Sequence, residues 1–404
     1  MMGKSLLRQR DFSLLVGAVG LSALGDWLAL TPLALHLQEE TGSGLAVAGL
    51  FLAIWSPVIV LAGPAGALAD RMDRSQLLLV ASLAQAVVAL ALAFSDGTAA
   101  ILALTTLLGA GFAFAQPAEF SLIPALAGED RLARANGYVE TSRSLGFVLG
   151  PVMGGLLSAA GGVRIALLVN AVTFLVIAGA ALVIRGRRQA PAVSHSLELG
   201  RARDGIVFLL RDRMLAIVMI VAFVSLLFMT ASAPAEVFFA KDVLVVGDVG
   251  FGALWTAWTI GMALGSLVLA RRVEALALGA VVCIVVQGLG LALPTLWLVF
   301  GFALGAYVVG GLAHGTKNVL VRTLIHERVP DRLRGRAFAA YNGLRNAAEL
   351  VAILGGGILI VAIGARWTLL LAGGIPVVAG VVALAAIRRM EAAVSPERSA
   401  SWAS

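Results

Sequence analysis

Gly66-Ala67-Leu68-Ala69-Asp70-Arg71-Met72-Asp73-Arg74 separates two stretches, 45–69 and 75–95, that contain no charged residue at all. About 20 apolar residues suffice to cross a bilayer as a helix. A tight charged turn between two such lengths is the polar edge of a membrane hairpin. Gly66 has no side chain and allows the helix before the turn to approach a neighbour closely. Asp70 stands where the positive N-terminus of an incoming helix would attract it. Arg71 and Arg74 can pair with carboxylates across the loop, with Glu140 the candidate. An ordinary basic loop is the plainer alternative.

The same pattern repeats along the 404 residues, which are 60% hydrophobic and only 13% charged. The mean hydropathy is +0.97. Soluble domains carry about 25% charged residues, so the apolar surface implied here belongs in a bilayer. Twelve spans are predicted, near 12–37, 45–69, 75–95, 98–125, 136–160, 164–185, 214–240, 249–270, 274–293, 295–323, 336–362 and 366–388. The formal charge is +7, but the basic residues form short clusters between apolar runs, which argues against nucleic acid as a partner. With the N-terminus inside, Lys4, Arg8, Arg10, Arg71, Arg74, Arg131, Arg134, Arg187, Arg188, Arg201, Arg203, Arg271, Arg272, Arg332, Arg334, Arg336, Arg388 and Arg389 fall on the cytoplasmic side. Only Arg164, Lys241 and Arg366 fall outside. This asymmetry predicts an inner-membrane protein with both termini cytoplasmic. The start is not read as a cleavable signal, because its apolar segment is long enough to span and has no Ala-x-Ala exit.

The longest polar interruption, Arg185 to Arg213, contains Pro191 and seven arginines. It divides the chain into an N-terminal six-helix lobe at 1–185, a cytoplasmic linker at 186–213, a C-terminal six-helix lobe at 214–390 and a disordered tail at 391–404. Within the linker, Leu197–Leu210 is a candidate amphipathic stretch for the membrane surface. A weak internal repeat at an offset of 201 residues aligns Asp130-Arg131-Leu132 with Asp331-Arg332-Leu333, and Gly154-Gly155 with Gly355-Gly356. Two halves in the same orientation are parallel repeats.

The Gly66–Arg74 stretch resembles the loop signature of the major facilitator superfamily, with Asp73 where Gly is commoner and Ser75 where a second basic residue is usual. Gly146, Gly150, Pro151, Gly154 and Gly155 resemble the Gly-x-x-x-Gly-Pro-x-x-Gly-Gly pattern of its antiporters. Pro151 is expected to bend the fifth span, and Gly261 and Gly265 of the eighth span are candidate partners for its smooth face. Gly25-Asp26-Trp27, together with Pro117–Pro124 ahead of Asn136-Gly137, is similar to the drug, macrolide and siderophore exporter branch. The resemblance implies twelve transmembrane helices in two six-helix lobes. It also implies secondary active export of small amphipathic molecules, by proton antiport with alternating access. The protein would be a monomer whose partners are a small-molecule substrate, protons and membrane lipid. The fourth span lacks the buried Arg of many drug/proton antiporters.

An ionisable residue inside a span costs about 2.5–3.5 kcal/mol on insertion scales and is a functional candidate by default. Asp26 lies about 21 Å into its helix. Glu119 and Lys317 occupy the fourth and tenth spans and are expected to approach when the cytoplasmic side closes, with Glu119 or Asp26 exchanging protons. Asp26 as a structural hydrogen-bonding group is the alternative. Trp27 and Trp258 are candidates to stack against flat substrates, and Trp55 and Trp255 are read as packing or interfacial residues. Arg345 and Glu349, one turn apart, form a structural pair. Glu236 and Lys241 are expected near the outer surface in water. His314 faces either a cavity or a packed neighbour.

The sequence argues against an enzyme. Gly310 to Lys317 lacks the Gly-Lys-Ser/Thr order of a phosphate loop and lies inside a span. The four histidines are scattered, Cys283 is the single cysteine, and no metal or cofactor site is predicted. A lysophospholipid flippase on the same fold is the principal alternative, and a membrane-embedded enzyme the remote one.

Overall fold

The computed structural model describes residues 6–184 and 211–400, apart from the side chains of Asp70, Glu129, Ala133, Asp331, Arg332, Arg334, Gly335, Arg336, Ala339, Ala340 and 391–400. Most of the predicted linker, its Leu197–Leu210 stretch included, lies outside the described residues. Every regular element among them is helical. In order these are α1 (Arg10–Thr41), α2 (Gly44–Val60), α3 (Ala62–Arg71), α4 (Arg74–Ala93), α5 (Thr98–Ala127), α6 (Leu132–Val183), α7 (Arg213–Phe238), α8 (Gly247–Leu264), α9 (Leu276–Leu296), α10 (Phe300–Arg328) and α11 (Asp331–Ala400).

Nine spans pass on length and hydropathy among the described residues when α2 and α3, bent by 51°, are taken as one. Two of the nine run for 50 residues, about 75 Å of helix, which is twice what a hydrocarbon core of about 30 Å requires. Both are broken. α6 loses helical geometry at Gly161 and Gly162, and α11 at Gly364. Gly162 has φ 73° and Gly364 φ 80°, a left-handed backbone that glycine adopts without a Cβ penalty. Each therefore supplies two spans, and α10, carrying His314 and Lys317, completes the predicted twelve. Pro151 does not interrupt the helical backbone of α6. Its helix continues to the glycines ten residues on, where the backbone is freer. α11 stays helical through Ala400, where a disordered tail was expected. Ala, Glu and Met favour helix, and an existing helix propagates more easily than a new one starts.

The described residues form two compact units, one of residues up to 184 with Ala240–Thr256, the other of 211–239 with Ala257 onward. In the first, α1 packs on α6, α6 on α4, α4 on α5 and α5 on α2. In the second, α7 packs on α11, α11 on α9 and α9 on α10, the same order of neighbours. The sequence assigns 240–256 to the second half, yet this segment packs within the first unit. There Gly252 lies so near Pro151 that a Cβ would stand 3.0 Å from its carbonyl carbon. Ser158 donates to Asp248 at 2.6 Å, Gln38 donates to Asp242 at 2.9 Å, and Lys241 bridges Glu39 and Asp248. Lys241 is thus ion-paired. Glu236 is buried and accepts from Ser232 at 2.7 Å, so neither is the solvated residue expected from its place near the span end.

Candidate functional site

In the first unit, Gly25, Asp26 and Trp27 follow one another on α1. Successive helical residues point about 100° apart, so the three face different surroundings. Gly25 meets the second leg of α6, where a Cβ would stand 2.5 Å from Asn170 Oδ1 and 2.6 Å from Thr173 Oγ1. Trp27 packs edge-on to Phe147 at 6.4 Å and against Trp255 at 4.6 Å. Asp26 opens onto a small cavity of about 20 Å³ lined also by Trp27, Leu30, Ile54, Trp55, Leu108 and Phe112. Its carboxylate has no hydrogen bond or ion pair among the described residues. Trp55 stands edge-on to Phe112 at 6.1 Å, which makes it a cavity wall. Pattern alone could not separate that role from packing.

Glu119, on α5, is 4% exposed. Its partner is Arg143 of α6, Nη2 to Oε2 at 3.8 Å, and the guanidinium lies 4.9 Å over the Phe120 ring. Arg143 Nε and Nη2 are buried without a hydrogen bond. Asp26 lies within Coulombic reach of both Glu119 and Arg143. The buried arginine missing from the fourth span is therefore supplied by the fifth. The available signal was an arginine near one end of the predicted fifth span, three residues after Glu140.

The loop motif departs from expectation in its contacts. Arg74 donates to the Ser121 carbonyl at 2.8 Å, and Glu140 pairs at 3.9 Å with Arg143, one turn along its own helix. Glu140 is not the partner of Arg74. Asp73 accepts from the backbone N–H of Ser75 and Gln76, so the residue replacing the usual Gly caps α4. A Cβ at Gly66 would meet nothing within 4 Å, because α3 presents that face to open space. Arg71 closes α3, and the side chain of Asp70 lies outside the described residues.

The α6 glycines pack chiefly on α1. A Cβ at Gly146 would stand 2.6 Å from Gly20 O, one at Gly150 2.6 Å from Trp27 Cβ, and one at Gly154 3.0 Å from Leu28 O. Gly155 faces Asp248, at 2.5 Å from its carbonyl oxygen by the same measure. Gly261 and Gly265 press on α10 at Val308 and Leu312, while Gly311 and Gly315 press back on Trp258 and Met262. Small residues on both helices bring these backbones together.

In the second unit, Trp258 packs against Tyr307 at 5.9 Å and His314 at 5.8 Å. His314 is a packed residue. Its Nδ1 lies 3.3 Å from Gln287 Oε1 and its Nε2 2.9 Å from Asn318 Nδ2, while Gln287 donates onward to Ser225. Arg345 donates to Glu349 at 2.8 Å, as their spacing predicts. Lys317 is 4% exposed and has no partner among the described residues.

The family model of the Major Facilitator Superfamily matches residues 15–348 and 218–401. The chain belongs to this superfamily. A superfamily member from Bacillus subtilis (strain 168), the uncharacterized MFS-type transporter YfiS, is 26% identical over 407 residues, covering 95% of each chain. Among solved structures, the inward-facing, unoccupied bacterial homologue of the human lysosomal transporter Spinster has a TM-score of 0.73 at 14% identity, covering 96% of this chain and 98% of its own. The nucleoside transporter NupG has a TM-score of 0.73 at 15% identity, covering 95% and 99%. These likenesses show the superfamily fold. The chain is a multi-pass membrane protein and a secondary transporter of small molecules.

Proposed function

We propose that this transporter lies in the inner (plasma) membrane with both termini cytoplasmic and exports small amphipathic molecules, of the drug, macrolide or siderophore kind, in exchange for protons. The observation that carries the reading is the set Asp26, Glu119 and Arg143. Asp26 is an unpartnered carboxylate facing an aromatic-lined cavity, beside an ion pair whose arginine is short of hydrogen bonds. A carboxylate without a fixed partner can take up and release a proton as access alternates. Protonating Asp26 alters the field on Glu119–Arg143, and Arg143 can then exchange partners. Each proton state thereby favours a different packing of α1, α5 and α6, which is how a bound proton biases a two-state element.

The test is proton movement in inverted vesicles challenged with lipophilic cations, macrolides, catecholates and lysolipids. The expected result is a compound-triggered collapse of the pH gradient that disappears in Asp26→Asn or Glu119→Gln. Lysolipid movement without any proton flux would retire the antiport reading in favour of a flippase.

A further inference from the structure

Lys317 stands past the middle of α10, toward its Arg328 end. It is the eighteenth residue of the helix, about 26 Å from Phe300 and about 16 Å from Arg328. A charged amine there without a partner is expensive, and intramembrane lysines are held by counter-charges or mark a substrate path. Among the described residues, the surrounding groups of the second unit offer no counter-charge. His314, one turn back, has both ring nitrogens engaged by Gln287 and Asn318. Glu349 is held by Arg345. Arg345 itself acts on Lys317 electrostatically, as a second positive charge. Glu236 is bound to Ser232 and lies beside Tyr307, ten residues up α10, about 15 Å along the axis. Lys317, Arg345 and Glu349 therefore leave one positive charge unbalanced.

We propose that Lys317 is the counter-charge for an acidic group, a carboxylate, phosphate or sulfonate, on the molecule this transporter carries. The proposal rests on the export reading above and narrows it, from amphipathic molecules in general to those bearing an anionic group. A lysine suits this task because its compact ammonium pairs with any of these anions as a point charge. Desolvation within the span strengthens the pairing relative to water. Asp26 remains the proton carrier, so uptake of protons and binding of the anion fall to separate residues.

The test compares paired probes that differ only in charge, 1-naphthoate with 1-naphthamide and 1-naphthyl phosphate with 1-naphthol. Binding to the full-length protein in lipid nanodiscs is followed by tryptophan quenching and by thermal shift. The acidic member of each pair is expected to bind about tenfold tighter or better, with the preference lost in Lys317→Gln and partly kept in Lys317→Arg. Equal binding of acid and neutral partner by the wild-type protein would overturn the proposal, as would a preference that survives in Lys317→Gln. Lys317→Met takes the place of the amide variant if that one does not fold, and the wild-type comparison stands without either. An acid preference that persists in protein showing no proton flux would sink the antiport reading alone.

Discussion

Arg164 and Arg366 make the same hydrogen bond at equivalent places in the two halves of the chain. Arg164 Nε donates to the Ala93 carbonyl at 3.0 Å, and Arg366 Nε to the Thr295 carbonyl at 2.9 Å, each reaching back 71 residues. Each arginine follows, by two positions, the left-handed glycine that breaks its long helix. Their acceptors close α4 and α9, whose last carbonyls have no intrahelical donor and attract a positive charge. Arg164 also lies 5.3 Å over the Phe94 ring. Two of the three basic residues predicted to lie on the outer side are thus helix caps. Replacing either with Gln should cost about 1–2 kcal/mol, read as a lowered Tm. Lys should not restore it, having no Nε–H in a rigid fork.

Glu119 and Arg143 are coupled, and their single variants should be worse than their double. Glu119→Gln removes the buried counter-charge from a guanidinium whose Nε and Nη2 already lack hydrogen bonds, and breaking one side of a buried pair costs about 3–5 kcal/mol. The 3.8 Å separation places the expected loss near the low end, about 3 kcal/mol. Adding Arg143→Met should recover part of it. A double-mutant cycle in unfolding midpoints checks this, and strict additivity would show that the two do not interact.

The glycines of the two motifs should respond in opposite ways. Gly150→Ala places a methyl 2.6 Å from Trp27 Cβ and 3.0 Å from the Leu24 carbonyl, an overpacking expected to cost about 1–3 kcal/mol. Gly66→Ala meets nothing within 4 Å and should leave Tm unchanged or raise it, by up to about 1 kcal/mol from helix propensity. Thermal melts of the two variants side by side distinguish packing from mere membership of a motif.

Asp212 carries a pH dependence outside the spans. It caps α7 by accepting from the Leu215 N–H at 3.0 Å and pairs with Arg328 at 2.9 Å. Burial pushes its carboxyl up, but these donors and the guanidinium outweigh it, and the group is held below the ordinary value of 3.8. A depressed folded-state value stabilises above the unfolded one and is lost as pH falls through the folded one. The Tm difference between wild type and Asp212→Asn should therefore be constant from pH 7 to 5. Below pH 3.8 it should shrink.

The repeat shows how far pattern reading extends. The polar linker gave the two halves, with matching residues at an offset of 201 in support, and in the structure Gly162 corresponds to Gly364 and Arg164 to Arg366, 202 apart. The matching hydrogen bonds were not legible, because a side-chain bond across 71 residues leaves no local periodicity. Glu119 was legible as a charge in an apolar run, but its partner was not. Arg143, Arg74 and Lys317 are equally basic on paper, and only helix packing selects Arg143. Gly261 and Gly146 look alike as small-residue signals, yet they face α10 and α1.

Hydropathy, charge asymmetry, one loop motif and one span motif determined that this chain is a many-helix membrane transporter. Spanning length and the cost of charge in hydrocarbon act on each segment by itself, so composition read in order is enough. Tertiary structure decided which buried charges have partners. Arg143 is given to Glu119, Arg345 to Glu349 and Lys241 to Glu39 and Asp248, while Asp26 and Lys317 have none among the described residues. The reason is geometric. An ion pair depends on distances of a few ångströms between helices remote in sequence, and those distances exist only once the helices have packed.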